Sequence, residues 1–140
     1  MIIAIDGPSG AGKSTLGKML AKKLGLLYLD TGAMYRAVAL AVVRKHVDLS
    51  LENEIAAIAR TAKIELLGEP ESLQVFLDGD DVSSEIRTLE IAQAASVVST
   101  NSTVRRIMVE HQRQLGLNAV SGCVLEGRDI VGIANTGTGK

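Results

Sequence analysis

The chain opens with MIIAIDGPSGAGKST, residues 1–15, in which a short apolar run leads into a glycine-rich turn that ends in Lys-Ser. Residues 2–5 have the continuous apolar character of a buried parallel strand. Residues 7–14 fit G-x-x-x-x-G-K-[ST] at every fixed position, and the glycines let backbone N–H groups turn inward around phosphate oxygens. A helix that begins at Lys13 would add the positive end of its dipole. The stretch therefore predicts a strand, a phosphate-binding loop and a helix.

The loop and the first helical turn supply the predicted donor site. The expected ATP-binding residues are Gly7, Pro8, Ser9, Gly10, Ala11, Gly12, Lys13, Ser14 and Thr15. Lys13 can reach the β- and γ-phosphates, and the Ser14 hydroxyl can ligate the Mg²⁺ that bridges them. Because kinases, GTPases and ATPases share this pattern, it predicts the phosphate donor and leaves the acceptor open. A second glycine-rich stretch ends at Lys140, but Ala134 occupies the first glycine position and no helix follows, so no second loop is predicted.

The order of elements after the loop predicts a parallel α/β sheet. A helix over residues 13–24 should stop at Gly25, a strand follows over residues 26–29, and an Ala- and Val-rich helix follows DTG. Ser50 is predicted to cap a further helix over residues 51–62.

The middle of the chain has a different pattern. The segments KIELLG and SLQVFLDG, separated by Glu-Pro-Glu, predict an antiparallel hairpin. Thr88 is predicted to cap a helix that runs to about Val98, a helix follows over residues 103–115, and CVLEGRD returns to a buried strand.

These elements suggest a division into domains. Residues 1–62 and 121–133 are predicted to form a partial parallel-sheet core. Residues 63–120 are predicted to be a region, with flanking helices, inserted over the carboxyl edge of the sheet. Ligands bind at that edge in open α/β sheets. Residues 134–140 are expected to be a disordered tail.

Composition narrows the class of protein. The 140 residues carry a net charge of -1 and 46% of them are hydrophobic, which suits a globular domain with a core and gives no electrostatic basis for binding nucleic acid. With no apolar run of about 18 residues and no basic leader, neither a membrane span nor a signal peptide is expected. Cys123 is the single cysteine, which excludes a disulfide framework within one chain and favours a cytoplasmic location.

An acceptor site is expected beside the donor loop. DTGAMYR follows the second predicted strand, so Thr31 and Arg36 should lie toward the same carboxyl edge of the sheet. A hydroxyl and a guanidinium there would make a second anion site, because Arg binds phosphate bidentately. Taken alone, Arg36 could equally be a solvated helix arginine.

Several motifs occur in the order IDGPSGAGKST, LDTGAMYR, DVSSEIRT, the AAS of residues 94–96, VRR and EGRD. This series resembles the bacterial cytidylate kinases, which phosphorylate CMP and dCMP using ATP, over about residues 1–130. The combination of DTGAMYR, GDDVSSEIRT and EGRD is far more specific than the glycine-rich loop. The resemblance implies an α/β P-loop NTPase fold, with a parallel sheet flanked by helices in three layers and an inserted region that binds the nucleoside monophosphate and contains a β-hairpin.

The resemblance also implies a set of acceptor residues. The residues that match the family's CMP-binding positions are Thr31, Arg36, Ser96, Arg105, Arg128 and Asp129. Thr31, Arg36 and Arg128 would hold the acceptor phosphate. Lys13 and Arg128 are the residues expected to act on the transferring group.

The remaining positions concern the base. Ser96 and Arg105 match positions that read the cytosine edge, and Asp129 matches a residue that faces the base. Asp129 could instead help to hold Mg²⁺ through water. Without the resemblance, Ser96 would be interpreted as a helix-packing residue and Arg105 as a solvated charge. His46 and His111 are not predicted to be catalytic, and Cys123 is expected to pack inside a strand.

The sequence departs from the family after EGRD, where it reads IVGIANTGTGK in place of a further strand, an arginine-rich lid and C-terminal helices. We therefore expect an incomplete fold and weak or absent kinase activity for the 140 residues alone. The family is expected to be monomeric, whereas an uncovered sheet edge predicts self-association of this chain. A non-catalytic nucleotide- or phosphate-binding fragment and a P-loop kinase of another small acceptor remain as alternatives.

Overall fold

The computed structural model describes residues 2–6, 12–118 and 122–127. They fall into two compact units, the first drawn from residues 1–31, 68–72 and 109–140 and the second from residues 32–67 and 73–108. These units group residues by compactness, and the division into a core and an inserted region stays a prediction. The elements in chain order are β1 (Ile2–Asp6), α1 (Lys13–Leu24), β2 (Leu27–Asp30), α2 (Thr31–Arg44), α3 (Glu52–Thr61), β3 (Ile64–Leu67), β4 (Gln74–Leu77), β5 (Asp80–Asp81), α4 (Leu89–Val98), α5 (Ser102–Asn118) and β6 (Cys123–Gly127).

The first unit is built on a parallel sheet in the order β1-β6-β2. Ile2 and Leu27 both pair with Cys123, and Asp6 pairs with Gly127, so the three strands run side by side in the same direction. The side chains at the centre of β6 are fully buried, as the apolar run of the sequence predicts. The parallel sheet expected from the order of elements is thereby confirmed.

Helix α1 has the predicted bounds, but its apolar stripe faces outward. It ends because Gly25 adopts a left-handed conformation (φ 68°) and its N–H bonds to the Ala21 carbonyl. Gly17 and Ala21 are the buried positions, whereas the exposed fractions of Leu16, Met19 and Leu24 are 49%, 63% and 47%. The small residues therefore allow α1 to lie close to the sheet, and the large apolar side chains remain uncovered in the described residues.

The C-terminal part of α5 also packs in the first unit. A Cβ placed on Gly116 would lie 2.8 Å from the Cys123 Sγ and 3.7 Å from the Ile2 Cδ1. Because Cys123 is fully buried, its sulfur has little space to retreat. Gly116 is thus required by close approach of helix and strand. The prediction that Cys123 packs inside a strand is confirmed.

The second unit combines helices with an antiparallel sheet, β3-β4-β5. The hairpin predicted from its two apolar segments is β3 and β4, joined through a 3₁₀ turn at Pro70–Ser72, and the short strand β5 is an addition to it. One face of the hairpin is buried in alternation, as period-2 patterning requires. The core side chains of this unit include Met34, Val38, Val42, Ile55, Ala59, Ile64, Leu66, Val75, Leu77, Ile86, Ile91, Val98, Val104 and Met108.

Two capping predictions have different outcomes. Thr88 caps α4 as predicted, because its Oγ1 accepts from the Ile91 N–H (3.4 Å). The prediction for Ser50 is wrong. Its hydroxyl donates to the Asp48 carboxylate (2.8 Å), and Leu51 occupies the N-cap position of α3 without a side-chain bond. The Ser50 N–H also donates to the Asp48 carboxylate (2.8 Å), so Ser50 belongs to a turn around Asp48, one residue before the N-cap position.

Among the described residues, no helix combines the length and the apolar character that crossing a membrane requires.

Candidate active site

The carboxyl edge of the parallel sheet brings the ends of three strands together. Asp6 pairs with Gly127 at the ends of β1 and β6, and Asp30 pairs with Glu126 one step away. Thr31 follows Asp30 directly, is 3% exposed and is the first residue of α2. Such an edge is where open α/β sheets bind ligands, and the predicted donor and acceptor segments start from it.

The N-terminus of α1 returns to this edge. Helix α1 packs against all three strands, and β2 starts at the opposite, amino edge soon after α1 ends. Twelve helical residues span about 18 Å, close to the roughly 16 Å of a five-residue strand. The helix therefore runs antiparallel to the strands, and its first turn lies near their carboxyl ends.

The first turn of α1 is suited to an anion. Gly12 occupies the N-cap position with φ 80° and supplies no side-chain cap, and the turn contains no acidic residue. Its first N–H groups thus lack intrahelical acceptors and carry the positive end of the helix dipole. Ser14 and Thr15 are exposed on this turn, with hydroxyl oxygens of the kind that hard cations such as Mg²⁺ accept.

The two predicted acceptor residues of α2 are Thr31 and Arg36. Thr31 is buried, Arg36 is half-buried, and both take part in interactions within the protein. They are five positions apart on one helix, which separates them by roughly 140° around its axis. Thr31 belongs to the first compact unit and Arg36 to the second.

The two predicted base-reading residues lie on exposed helix positions of the second unit. Ser96 is on α4, where its hydroxyl donates to the Ala92 carbonyl (3.2 Å) and keeps its lone pairs for a further donor. Arg105 is exposed on α5, one turn after the helix begins. Neither is a packing residue, so the interpretation of Ser96 as a small helix-packing residue receives no support from its exposure.

Sequence reasoning missed Asn101, the residue just before α5. Its side chain is 7% exposed, and its Oδ1 accepts from the N–H groups of Thr103 (3.0 Å) and Val104 (3.2 Å). Its Nδ2 donates to the carbonyl of Glu52 (3.1 Å), at the first residue of α3. An Asn just before a helical pattern is an N-cap signal, whereas the bond to a residue 49 positions away leaves no mark in the sequence.

Several predicted residues lie outside the described part of the chain. These are Gly7, Pro8, Ser9, Gly10, Ala11, Arg128, Asp129 and the tail of residues 134–140. Their predicted roles remain predictions.

Carboxylates in the second unit are held by local hydrogen bonds. The Ser83 hydroxyl and N–H donate to the Asp81 carboxylate and lower its pKa, as the Ser50 N–H and hydroxyl do for the pKa of Asp48. Arg44 binds Glu85 at 2.8 Å and lies 3.7 Å from Asp80. Within the described ranges, no cluster of His, Cys, Asp and Glu is fit to hold a metal by itself.

The described residues include three further titratable side chains, those of His46, His111 and Cys123. Burial lowers the pKa of His111, and the neighbouring charge of Glu110 opposes that shift. Burial raises the pKa of the Cys123 thiol and keeps it protonated. His46 is exposed after α2 in a left-handed conformation (φ 55°).

The chain matches a protein-family model described as cytidylate kinase over residues 3–134. That range includes the predicted phosphate-binding loop, the predicted acceptor segment after β2, Ser96, Arg105 and the end of β6.

Curated proteins give the same result. The chain is 50% identical over 129 residues to a cytidylate kinase of Pelotomaculum thermopropionicum, covering 91% of this chain and 56% of the relative. It is 52% identical over 128 residues to one of Caldanaerobacter subterraneus subsp. tengcongensis, covering 91% and 54%. It is 44% identical over 128 residues to one of Bacillus subtilis, covering 91% and 56%. The chain spans about half the length of these curated relatives.

Proposed function

The chain belongs to the cytidylate kinase family, and we propose that it binds ATP with Mg²⁺ beside CMP or dCMP and supports phosphorylation of the acceptor to CDP or dCDP. The observation that carries the proposal is the extent of the family match. Residues 3–134 include every residue assigned above to the donor and the acceptor. A protein with a generic phosphate loop would share only the first of these segments.

The donor half of the site rests on residues 7–15. Support comes from the uncapped first turn of α1, whose N–H groups and dipole favour the phosphates of ATP. Lys13 would bind the β- and γ-phosphates, and Ser14 would be a ligand of Mg²⁺. When bound, Mg²⁺ neutralises charge on the same phosphate oxygens.

The acceptor half uses a second set of anion ligands. Thr31, Arg36 and Arg128 would hold the phosphate of CMP, the two arginines through bidentate hydrogen bonds. Thr31 lies at the carboxyl edge of the sheet, next to the last residue of β2, which supports its assignment to a phosphate bound at that edge.

The base would be recognised by Ser96, Arg105 and Asp129. Cytosine offers an N4 amino donor that a carboxylate accepts, and N3 and O2 acceptors that a hydroxyl or a guanidinium can serve. Uracil presents O4 and N3–H in their place, so both protein partners would face the wrong group. Such polar mismatches discriminate far more strongly than a missing methyl group. Asp129 has a second possible role, as a water-mediated Mg²⁺ ligand.

Phosphoryl transfer would require little covalent work from the protein. The acceptor phosphate is already ionised, so no dedicated general base is needed. Lys13 and Arg128 would hold two polyanions in line and stabilise the charge of the transferring group.

We also propose that the 140 residues alone turn over slowly, since nearly half the length of the relatives has no counterpart in them. The corresponding second candidate is a nucleotide- or phosphate-binding module without catalysis. For both candidates we propose a cytoplasmic location and no binding of nucleic acid or membrane. The relatives are expected to be monomeric, whereas this chain is expected to self-associate.

A coupled assay of ADP release tests the catalytic proposal. With ATP–Mg²⁺ and CMP we expect turnover below about 1 s⁻¹, the lower end for kinases, and its loss in Lys13→Ala. Turnover with UMP or AMP as the acceptor should be slower than with CMP. Turnover of about 1–100 s⁻¹ would contradict the low activity proposed for these residues, and equal turnover with all three acceptors would contradict the family assignment of the acceptor.

A further inference from the structure

Asn101 joins the starts of two helices in the second compact unit. Its Oδ1 accepts from the N–H groups of Thr103 and Val104, which are the second and third residues of α5. Its Nδ2 donates to the Glu52 carbonyl at the start of α3. The side chain is buried, and a buried amide with its donor and its acceptor both engaged is held in one orientation.

The hydrogen bonds of Asn101 fix the start of α5 and, with it, the backbone position of Arg105. The Arg105 N–H donates to the Asn101 carbonyl (3.0 Å), which is the first intrahelical bond of α5. Arg105 therefore lies one turn into a helix whose start Asn101 both caps and ties to α3. Its own side chain is exposed, so no packing around the guanidinium replaces this control from the backbone.

We propose that Asn101 is a positioning residue for recognition of the acceptor base: by tying the start of α5 to Glu52, it fixes the point from which Arg105 reaches the nucleotide. The inference rests on the proposed role of Arg105 in reading cytosine. Asn101 itself is not proposed to touch the nucleotide.

Two substitutions separate the cap from the tie. Asn101→Asp keeps an oxygen that accepts from Thr103 and Val104, but it replaces the donor to Glu52 with an oxygen that the carbonyl repels. Asn101→Ala removes both. If Asn101 were only a helix cap, Asp would substitute well, because Asp and Asn are equally good N-cap residues.

The experiment measures the dissociation constants of CMP and UMP, with ATP–Mg²⁺ present, for the unsubstituted chain and its variants. We expect Arg105→Ala to lower the preference for CMP over UMP by about tenfold or more. Asn101→Asp should lower it by about three- to tenfold, the effect of one misplaced hydrogen bond. In the Arg105→Ala background, Asn101→Asp should not change the preference any further, because its effect passes through Arg105.

A matched control excludes general loss of stability. Asp78 accepts from the Lys63 N–H (2.9 Å) in the hairpin of the same unit, and its φ is 50°. Asp78→Ala should lower the urea midpoint at least as much as Asn101→Asp, yet leave the preference for CMP unchanged.

Three results would overturn the inference. The first is an unchanged preference in Asn101→Asp. The second is a loss that persists undiminished in the Arg105→Ala background. The third is an unchanged preference in Arg105→Ala, which defeats the proposed role of Arg105 and the inference with it. Failure of Arg105→Ala alone thus marks failure of the proposed function, whereas failure of Asn101→Asp after a positive Arg105→Ala marks failure of the inference.

Discussion

Gly116 is a residue of the first unit whose small size is required by a close contact. Gly116→Ala would add about 1 kcal/mol of helix propensity, but its Cβ would lie 2.8 Å from the Cys123 Sγ. Overpacking of this kind costs about 1–3 kcal/mol, so we expect a net loss in the free energy of unfolding, measured by urea denaturation.

A second substitution, at Cys123, provides the control for Gly116→Ala. Cys123→Ala removes the sulfur that the new methyl group would meet. In that background Gly116→Ala should become neutral or stabilising, because the gain in helix propensity is no longer opposed. If Gly116→Ala destabilises both backgrounds equally, the close approach to Cys123 is not the reason for the glycine.

We expect the stability of the protein to depend on pH through the partly buried side chain of His111. Burial lowers its pKa below the 6.5 of an ordinary histidine, so the unfolded chain binds this proton more tightly than the folded one. The contribution is therefore present above pH 6.5 and is lost as the pH falls below it. We expect the urea midpoint to fall between about pH 7.5 and about pH 5.5.

His111→Gln removes the titrating group and should flatten this part of the profile. The carboxylates of Asp48 and Asp81, whose pKa values are lowered, act in a different window, below the ordinary carboxyl range. An equal slope in the variant would show that His111 is not the source.

At the scale of elements, the cap of α4 is testable. Thr88→Ala removes the acceptor of the Ile91 N–H and should cost about 1 kcal/mol in the free energy of unfolding. Thr88→Ser keeps the hydroxyl and should recover most of the loss. Equal losses in the two variants would mean that the methyl group of Thr88, and not its hydroxyl, is what stabilises the helix.

The helix caps show how far local sequence signals reach. Thr88 could be predicted because its hydroxyl stands directly before an apolar helical pattern. Ser50 also stands before an apolar helical pattern, but its N–H and hydroxyl both donate to Asp48, and the helix starts at Glu52, one residue later than predicted. Asn101 has a cap signal that the prediction did not use, and its bond to Glu52 depends on how two distant helices pack.

For helix α1, the sequence predicts the bounds of the helix but not which of its faces is buried. Its bounds could be predicted from Lys13 and Gly25, since the loop pattern and the terminating glycine are local. The spacing of Leu16, Met19 and Leu24 indicates an apolar stripe, yet it cannot say which face meets the sheet. Gly17 and Ala21 decide that, because small residues allow the closest approach.

The candidate site divides along similar lines. The start of α1 and the helices that carry Ser96 and Arg105 could be predicted from local patterns. The partners that hold those positions come from tertiary packing, as the tie from Asn101 to Glu52 shows.

For the whole molecule, the outward stripe of α1 supports self-association. Met19 is 63% exposed, and β1, an edge strand in the described sheet, has partly exposed apolar residues. We expect the mass by light scattering to rise above 14.7 kDa with concentration, and Met19→Lys to reduce the rise.

Leu89→Lys offers a comparison, since Leu89 is 73% exposed on α4. Like Met19→Lys, it places a charge on an exposed apolar position, but in the second unit, and it should leave the self-association intact. A monomeric mass for the unsubstituted chain at every concentration would contradict the proposal.

The central proposal is that this chain binds a cytosine nucleotide selectively as the phosphate acceptor. Calorimetric titration with CMP, UMP and AMP, each with and without ATP–Mg²⁺, tests it most directly, because it does not depend on turnover. We predict that CMP binds at least about tenfold more tightly than UMP or AMP. Binding of ATP with no preference among the three monophosphates would contradict the claim.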